Sequence, residues 1–527
     1  MTETDRLRAR LLGPRPTDRL AGWIVPILIA AWAGVVRFWN LGFPGTLVFD
    51  ETYYVKQAWS LVEFGHENKV LEKYAAKGAT PGVDDVWAAG TSAVFDQAAD
   101  FVVHPPVGKW VIASGELLFG VDSSVGWRFS VAVLGTLSVL MMARTARRMF
   151  GSTTLGAVAG ILLAVDGQHF VLSRTGLLDM SVMFFAFAAF CALVVDRDAM
   201  RERLAVRVGA LRESGAGPDD RRLRYGPALG VRPWRLLAAV SLGLCIGTKW
   251  SGLYFLAAFG LLTVFWDMGA RRAAGIRRWW VASVLRSAPV AALAMCGTAG
   301  AVYVATWAGW FATDGGWDRH WATSNPASGA AALVPDVVRS FAHYHGEMWR
   351  FHVGLHTPHV YQSNPWSWIV QGRPTSFYYV GTDTGCGAEK CSRAITDLGN
   401  PLVWWAGALS LAVLVGCWAW RRDWRAGAIL AGYAGGYLPW FQYQERTIYT
   451  FYSVAFVPWV VLGVTYCLGL VVGAPDASRR RRRIGLALAG AYVVAAVAVF
   501  VFFWPVYTGE LIPYEHWSWR MWFPSWI

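Results

Sequence analysis

Apolar runs of roughly 18–25 residues recur along the whole of this 527-residue chain, each long enough to cross a ~30 Å hydrocarbon layer as a helix. A spanning segment must satisfy its backbone polar groups within itself, so the repetition points to an all-α polytopic membrane bundle. Only 16% of the residues are charged, and 31 are tryptophan, which settles at the bilayer boundary where its ring and its N–H are both accommodated. The net charge of +13 is carried in short basic blocks between the apolar runs. That is the pattern of inside loops, and it excludes a nucleic-acid surface as the source of the charge.

The runs expected to span are 20–39, 125–146, 153–170, 177–195, 234–248, 250–267, 281–310, 402–420, 426–441, 449–472 and 484–505, about eleven in all. Segment 20–39 is long for a signal-peptide core and ends on Arg37-Phe38-Trp39, so it is expected to stay uncleaved. Arg6, Arg8, Arg10, Arg15 and Arg19 place the N-terminal segment 1–20 inside. The basic blocks 144–148, 197–235, 271–278, 421–425 and 479–483 then fall on the same side, and the tail 506–527 falls outside. With that count, the stretch 107–119 becomes a helix at the outer interface. The implied division is a catalytic membrane region 21–310 with a first outer loop 40–124, a large outer loop 311–400, and C-terminal membrane helices 401–505. Both outer loops are too long to be simple connections and are dense in Trp, Tyr and His, which puts any chemistry at the outer face. Cys191, Cys245, Cys296, Cys417 and Cys467 lie in apolar runs and read as buried packing residues; Cys386 and Cys391, in a polar Gly-rich loop outside, read as a disulfide.

Five constellations could carry chemistry. Asp50-Glu51, flanked by Phe49 and Tyr53-Tyr54 just beyond the first span, is either a general-base site with at least one raised pKa or a pair capping a short helix. His104-Pro105-Pro106-Val107-Gly108-Lys109 is either a rigid turn onto the membrane or a device returning the far end of the loop to the acid pair. Ser173 to Asp179 sets Arg174 and Asp179 between two apolar helices, as a structural ion pair or as part of a pathway. His343, His345, His352 and His356, with Glu347, invite a metal or contacts to a polar ligand; His352 and His356 stand four apart, but no HExxH is present. Arg446, and with it Lys249, Arg128 and Arg37, falls at outer span ends where a lipid-linked phosphate would meet a cation, or where the cation merely anchors its helix.

Together these motifs resemble the protein O-mannosyltransferases, within the GT-C class of polyprenyl-phosphate-sugar-dependent membrane glycosyltransferases. The resemblance is carried by Phe49-Asp50-Glu51, by His104 to Lys109, by the SRxxLLD-like Ser173 to Asp179, by Lys249-Trp250-x-Gly252 and by the His- and Trp-rich stretch 343–368, in this order. It implies an inverting transfer of mannose from polyprenyl-phosphate-mannose to Ser or Thr of exported proteins, with Asp50 as base and Glu51 positioning substrate. On the same footing Arg128, Lys249, Arg446, Arg37, Arg174 and Asp179 would serve the donor, and His104, Lys109, His343, His345 and His352 the acceptor side. Expected partners are the lipid-linked donor, exported polypeptides, membrane lipids and the export machinery; a divalent cation is left open as cofactor. The loop 311–400 is too short for the β-trefoil insert of eukaryotic members. Two other readings stay open: a sister transferase acting on an envelope glycan or lipid, and a transporter, which would need two similar halves.

Overall fold

The computed structural model describes every residue except 14, 15, 77, 218 and 475, so Arg15 lies outside the described residues. The chain is mostly helical, and among the described residues eight helices are long and apolar enough to cross a membrane. They are Ala21–Phe38, Ser124–Phe150, Asp179–Glu213, Gly252–Ala273, Trp279–Thr306, Pro401–Arg421, Thr450–Val472 and Arg479–Thr508. The remaining three expected spans form the shorter helices Thr153–Ala164, Pro233–Ile246 and Trp424–Gly436. Boundaries follow local signals. Ser124–Phe150 stops at Gly151, whose φ of +65° suits a residue without a Cβ, and the next helix starts at once because Ser152 accepts a bond from the Leu155 amide.

Asp179–Glu213 is the central post: 72% of its apolar window is enclosed, against 17% for Trp279–Thr306, which lies at the periphery. That peripheral position corrects one sequence expectation. Cys296 is exposed, not buried, and Cys191 and Cys467 are half-buried; Cys245 and Cys417 are buried. The middle of the bundle is built around Trp459, fully enclosed, with the rings of Phe255, Phe190, Phe259 and Phe187 at 5.4–6.0 Å. The far end of the long helix holds a second small core, where Leu7 and Leu11 of the N-terminal helix Glu3–Leu12 meet Met200, Leu204 and Val208. Buried Asp267 there accepts from Arg232 (2.6 Å) and Arg235 (2.9 Å), so part of that basic block is internally neutralised.

The site end carries the extramembrane layer. Glu51–Phe64 and Val107–Phe119 form the helical part of the first loop, and Asn68–Val70 pairs antiparallel with Phe95–Ala99. In the large loop, helix Asp336–Gly354 is followed by a hairpin of Thr375–Thr382 and Cys391–Asp397, closed near its tip by the Cys386–Cys391 disulfide. The tail returns to this hairpin: Ile512–Pro513 adds a short third strand beside Cys391 and Ser392.

Helix Trp424–Gly436 packs directly on Trp459, and a Cβ on Gly432 would lie 2.1 Å from that indole. Gly432→Ala is therefore expected to cost about 1–3 kcal/mol through overpacking. A lowered unfolding midpoint in detergent checks this, and an unchanged midpoint would contradict the packing.

Candidate active site

The acid pair is divided by its surroundings. Phe49 adopts φ +49° and sends its ring among Phe377 (5.1 Å), Phe451 (5.5 Å) and Tyr449 (5.8 Å). The chain then turns into helix Glu51–Phe64 at Asp50. Glu51 has no exposed surface: Arg128 Nε and Nη2 reach its two oxygens at 2.8 and 2.7 Å, and the amides of Gly176 and Val48 donate at 2.7 and 2.9 Å. The same guanidinium also donates to the carbonyls of Pro44 and Thr46, so one arginine pins the whole entry of the acid turn. Asp50 sits at the N-cap position, yet its carboxylate makes no cap bond and no other hydrogen bond among the described residues. Burial pushes its pKa up to about 6; Lys249 opposes the shift and Asp179 adds to it. The adjacent Glu51 is itself paired with Arg128.

A cavity of about 230 Å³ lies between helices Gly252–Ala273 and Trp424–Gly436 and the large loop, and two of its wall residues, Lys249 and Asp179, act electrostatically on Asp50. Its polar wall is Asp179, Lys249, His104, His352, Arg446 and Tyr452; the rest is mainly apolar and aromatic. Asp179, the first residue of the long helix, pairs with Lys249 at 2.7 Å, and the Lys249 ammonium lies 5.1 Å from the centre of the Tyr452 ring. Arg446 has no carboxylate partner among the described residues, and its buried Nε has no acceptor. His352 Nε2 lies 2.7 Å from the Val103 carbonyl and must donate there, which leaves Nδ1 free to accept from Arg446 at 3.4 Å. Burial, reinforced by Arg446, lowers the His352 pKa to about 4, so that ring is neutral. Burial and Lys249 hold His104 well below its ordinary value too. The cationic character of the cavity therefore rests on Lys249 and Arg446.

Other sequence candidates sit elsewhere and have other partners. Arg128 does not line the cavity, since its donors are taken by Glu51 and backbone carbonyls. Arg174 does not pair with Asp179; it caps the end of the first span by donating to the carbonyls of Val36, Arg37, Trp39 and Asn40. Arg37 is fully buried against His169 at 2.8 Å. Lys109 is paired with Glu67 and donates to the His104 carbonyl at 2.9 Å, which closes the first loop on itself. His343 stacks on Trp321 with ring centres 4.1 Å apart, and His345 Nε2 lies 2.6 Å from the Tyr303 hydroxyl, which accepts from Trp250 of the cavity wall. His352 and His356 do not share a helix face, because the helix ends at Gly354. Among the described residues no group of three or more His, Cys, Asp or Glu is placed to hold a metal ion. Tyr54, already noted beside the acid pair, and Tyr452 both lie against Asp50 electrostatically; Tyr452 was not legible in advance, and a Thr-Phe-Tyr inside an otherwise apolar run was its only signal.

Two family models match the chain: residues 103–209 fit the dolichyl-phosphate-mannose–protein mannosyltransferase model, and 337–526 fit the C-terminal four-transmembrane region of protein O-mannosyltransferase. The polyprenol-phosphate-mannose–protein mannosyltransferase of Mycobacterium tuberculosis is 39% identical over 519 residues, covering 97% of this chain and 93% of that protein. The Corynebacterium glutamicum protein of the same name is 35% identical, covering 95% and 92%. In structure, the Saccharomyces cerevisiae protein O-mannosyltransferase Pmt1–Pmt2 complex bound to the sugar donor superposes with a TM-score of 0.70 at 16% identity, covering 100% of this chain and 94% of that one. The fold is therefore shared well beyond the reach of sequence identity.

Arg128→Met would strand the Glu51 carboxylate in the protein interior, and Glu51→Gln would strand the guanidinium. Each is expected to cost about 3–5 kcal/mol. Chemical unfolding in detergent checks it; stability unchanged in both variants would mean the pair does not hold the acid turn.

Proposed function

The chain belongs to the protein O-mannosyltransferase family, and on that premise we propose a mannosyl transfer beside Asp50. Mannose passes from a polyprenyl-phosphate-mannose to a Ser or Thr hydroxyl of an exported polypeptide, at the outer face of the cytoplasmic membrane, with the N-terminus inside and the tail outside. The observation that carries the reading is the uncommitted Asp50 carboxylate, raised toward neutral pH and set electrostatically against a cavity whose cations are Lys249 and Arg446.

In this mechanism Asp50 accepts the hydroxyl proton as the acceptor oxygen attacks the anomeric carbon from the side opposite the phosphate. The bond from that carbon to the phosphate oxygen breaks, and its electron pair leaves with the lipid phosphate. Inversion follows from the single displacement. A hydroxyl is a weak nucleophile at neutral pH, so a carboxylate within hydrogen-bond reach is needed; a phosphate leaves as an anion and needs cations, not a second acid. Arg446 suits the phosphate because its charge is not spent on a carboxylate, whereas Lys249 is shared with Asp179. The apolar wall formed by Leu253, Phe255 and Ala455 suits the first isoprene units of the lipid. Glu51, fully bonded and enclosed, positions the base and does not touch substrate in this scheme.

Asp50→Asn is expected to abolish transfer from radiolabelled polyprenyl-phosphate-mannose to a Thr-containing peptide while donor binding is retained; wild-type levels of transfer would sink the assignment. For the native enzyme kcat/KM should rise with pH through about 6 and then level off, because the base works deprotonated, so that at pH 5 about a tenth of the plateau remains. Arg446→Met should weaken donor binding about ten- to hundredfold, the cost of losing a charged hydrogen-bond donor to phosphate. An unchanged donor Kd would remove Arg446 from the phosphate site.

A further inference from the structure

The small outer sheet runs in the order Thr375–Thr382, Cys391–Asp397, Ile512–Pro513, so Thr375–Thr382 is an edge strand eight residues long. Proteins usually blunt such an edge with a lysine, a proline or an inward charge, because unpaired amides and carbonyls will pair with any extended chain. The strand here reads Thr-Ser-Phe-Tyr-Tyr-Val-Gly-Thr and has none of these, and its register irregularity, between Ser376 and Tyr378, leaves the outer part 379–382 regularly paired. Beyond its pairing with Cys391–Asp397, the backbone of 379–382 makes no hydrogen bond among the described residues. Tyr379 and Val380 are 47% and 42% exposed, and Gly381 is exposed too. A Cβ built on Gly381 would meet nothing nearer than its neighbour Tyr379 at 3.9 Å. A glycine at an open strand position leaves room for a second backbone to come close.

The position of the edge gives it a use. Its inner end is buried: Phe377 packs 5.1 Å from Phe49, the residue preceding Asp50, and the one irregularity of the hairpin register falls there, between Ser376 and Tyr378. Trp517 of the tail lies 5.4 Å from Tyr379, a contact made by a side chain that leaves the backbone edge unpaired. A chain laid along 379–382 and continued at about 3.3 Å per residue would run toward the aromatic turn that holds Asp50.

We infer that the open edge of Thr375–Thr382 binds the acceptor polypeptide as an added antiparallel or parallel strand, presenting its Ser or Thr hydroxyl to Asp50. The inference rests on the mannosyl-transfer reading and adds to it the form in which the acceptor is held. Recognition through backbone groups needs only an extended segment, so one site can accept many sequences. It also selects for polypeptide that has not yet folded, since a residue already inside a sheet has no free edge to offer.

The test leaves the protein unaltered. A Thr-containing acceptor peptide is N-methylated one residue at a time, and mannose transfer is measured with each. Strand addition predicts a period of two: methylation at alternate residues raises KM about five- to tenfold through one lost hydrogen bond, and the residues between are tolerated. Transfer to the parent peptide with a flat or non-alternating response would overturn the strand inference while leaving the transferase reading intact, and would be the result if a second copy of the chain filled the edge. No transfer even to the parent peptide, with donor binding intact, would instead strike at the transferase reading itself.

Discussion

The bidentate contact of Arg128 with Glu51 is the interaction on which the rest of the outer face depends. It joins residues 77 positions apart, across the first span's loop and the start of the next membrane helix, with no solvent on either partner. A buried ion pair is seldom a net source of stability, since both ions give up water to form it. What it supplies is uniqueness: breaking either half is costly, so the acid turn has one geometry. Glu51 draws in amides from Val48 and Gly176, and Arg128 draws in carbonyls from the turn before it. Asp50 is next in the chain to this pinned residue, and among the described residues its own carboxylate has no hydrogen-bond partner.

That division explains how two adjacent acids can have opposite characters. Glu51 is surrounded by hydrogen-bond donors on both oxygens. Asp50 has burial and a neighbouring carboxylate, Asp179, acting against its charge, and a shared ammonium acting for it. Lys249 cannot neutralise both acids, and its direct contact goes to Asp179. The consequence is a carboxyl group raised toward neutral pH, acted on by a wall of the cavity in which Arg446 is, among the described residues, the cation with no carboxylate partner. His352, neutral and held by the Val103 carbonyl, keeps that guanidinium in place without adding charge. The Val103-His104 stretch thus reaches the cavity through the Val103 carbonyl, by way of His352, as well as through the His104 side chain.

What was legible in the sequence is what acts over one helix or one turn. Apolar length found the eleven helical segments, eight of them long enough on their own; motif order found Asp50, Asp179 and Lys249, and position at a span end found Arg446. Contacts made across the fold were not legible. Arg128 and Arg37 looked alike as cations near outer span ends, and Arg174 looked like a partner for Asp179, yet the first holds Glu51, the second meets His169 and the third caps a helix. Nothing local separates these uses, because each depends on what another helix brings to the same depth. The sheets were missed for a different reason. Asn68–Val70, Phe95–Ala99 and Ile512–Pro513 are too short to show alternation, and the strand Thr375–Thr382 carries aromatics on both faces. Cys296 was misplaced because apolar periodicity cannot tell a lipid-facing residue from a core one: in a membrane both are apolar.

On the proposed mechanism one free carboxylate is enough. A transferase that expelled an alcohol would need an acid to protonate it, and two carboxyls would have to be held at different pKa values across the sugar. A lipid phosphate leaves as a stable anion, so its departure is helped by positive charge alone. The second acid of the motif is then available for structure, and Glu51 is used that way, sealed against Arg128. Asp179 is likewise bound to Lys249, a pairing that a phosphate anion could loosen by offering the ammonium a competing partner. Loosening it would leave Asp179 more exposed to Asp50 as an unanswered charge and raise the proton affinity of Asp50 further. On the proposed mechanism donor and base are in this way electrostatically linked through Lys249: a phosphate drawing on that ammonium would make Asp50 the stronger base at the moment the acceptor hydroxyl must be deprotonated.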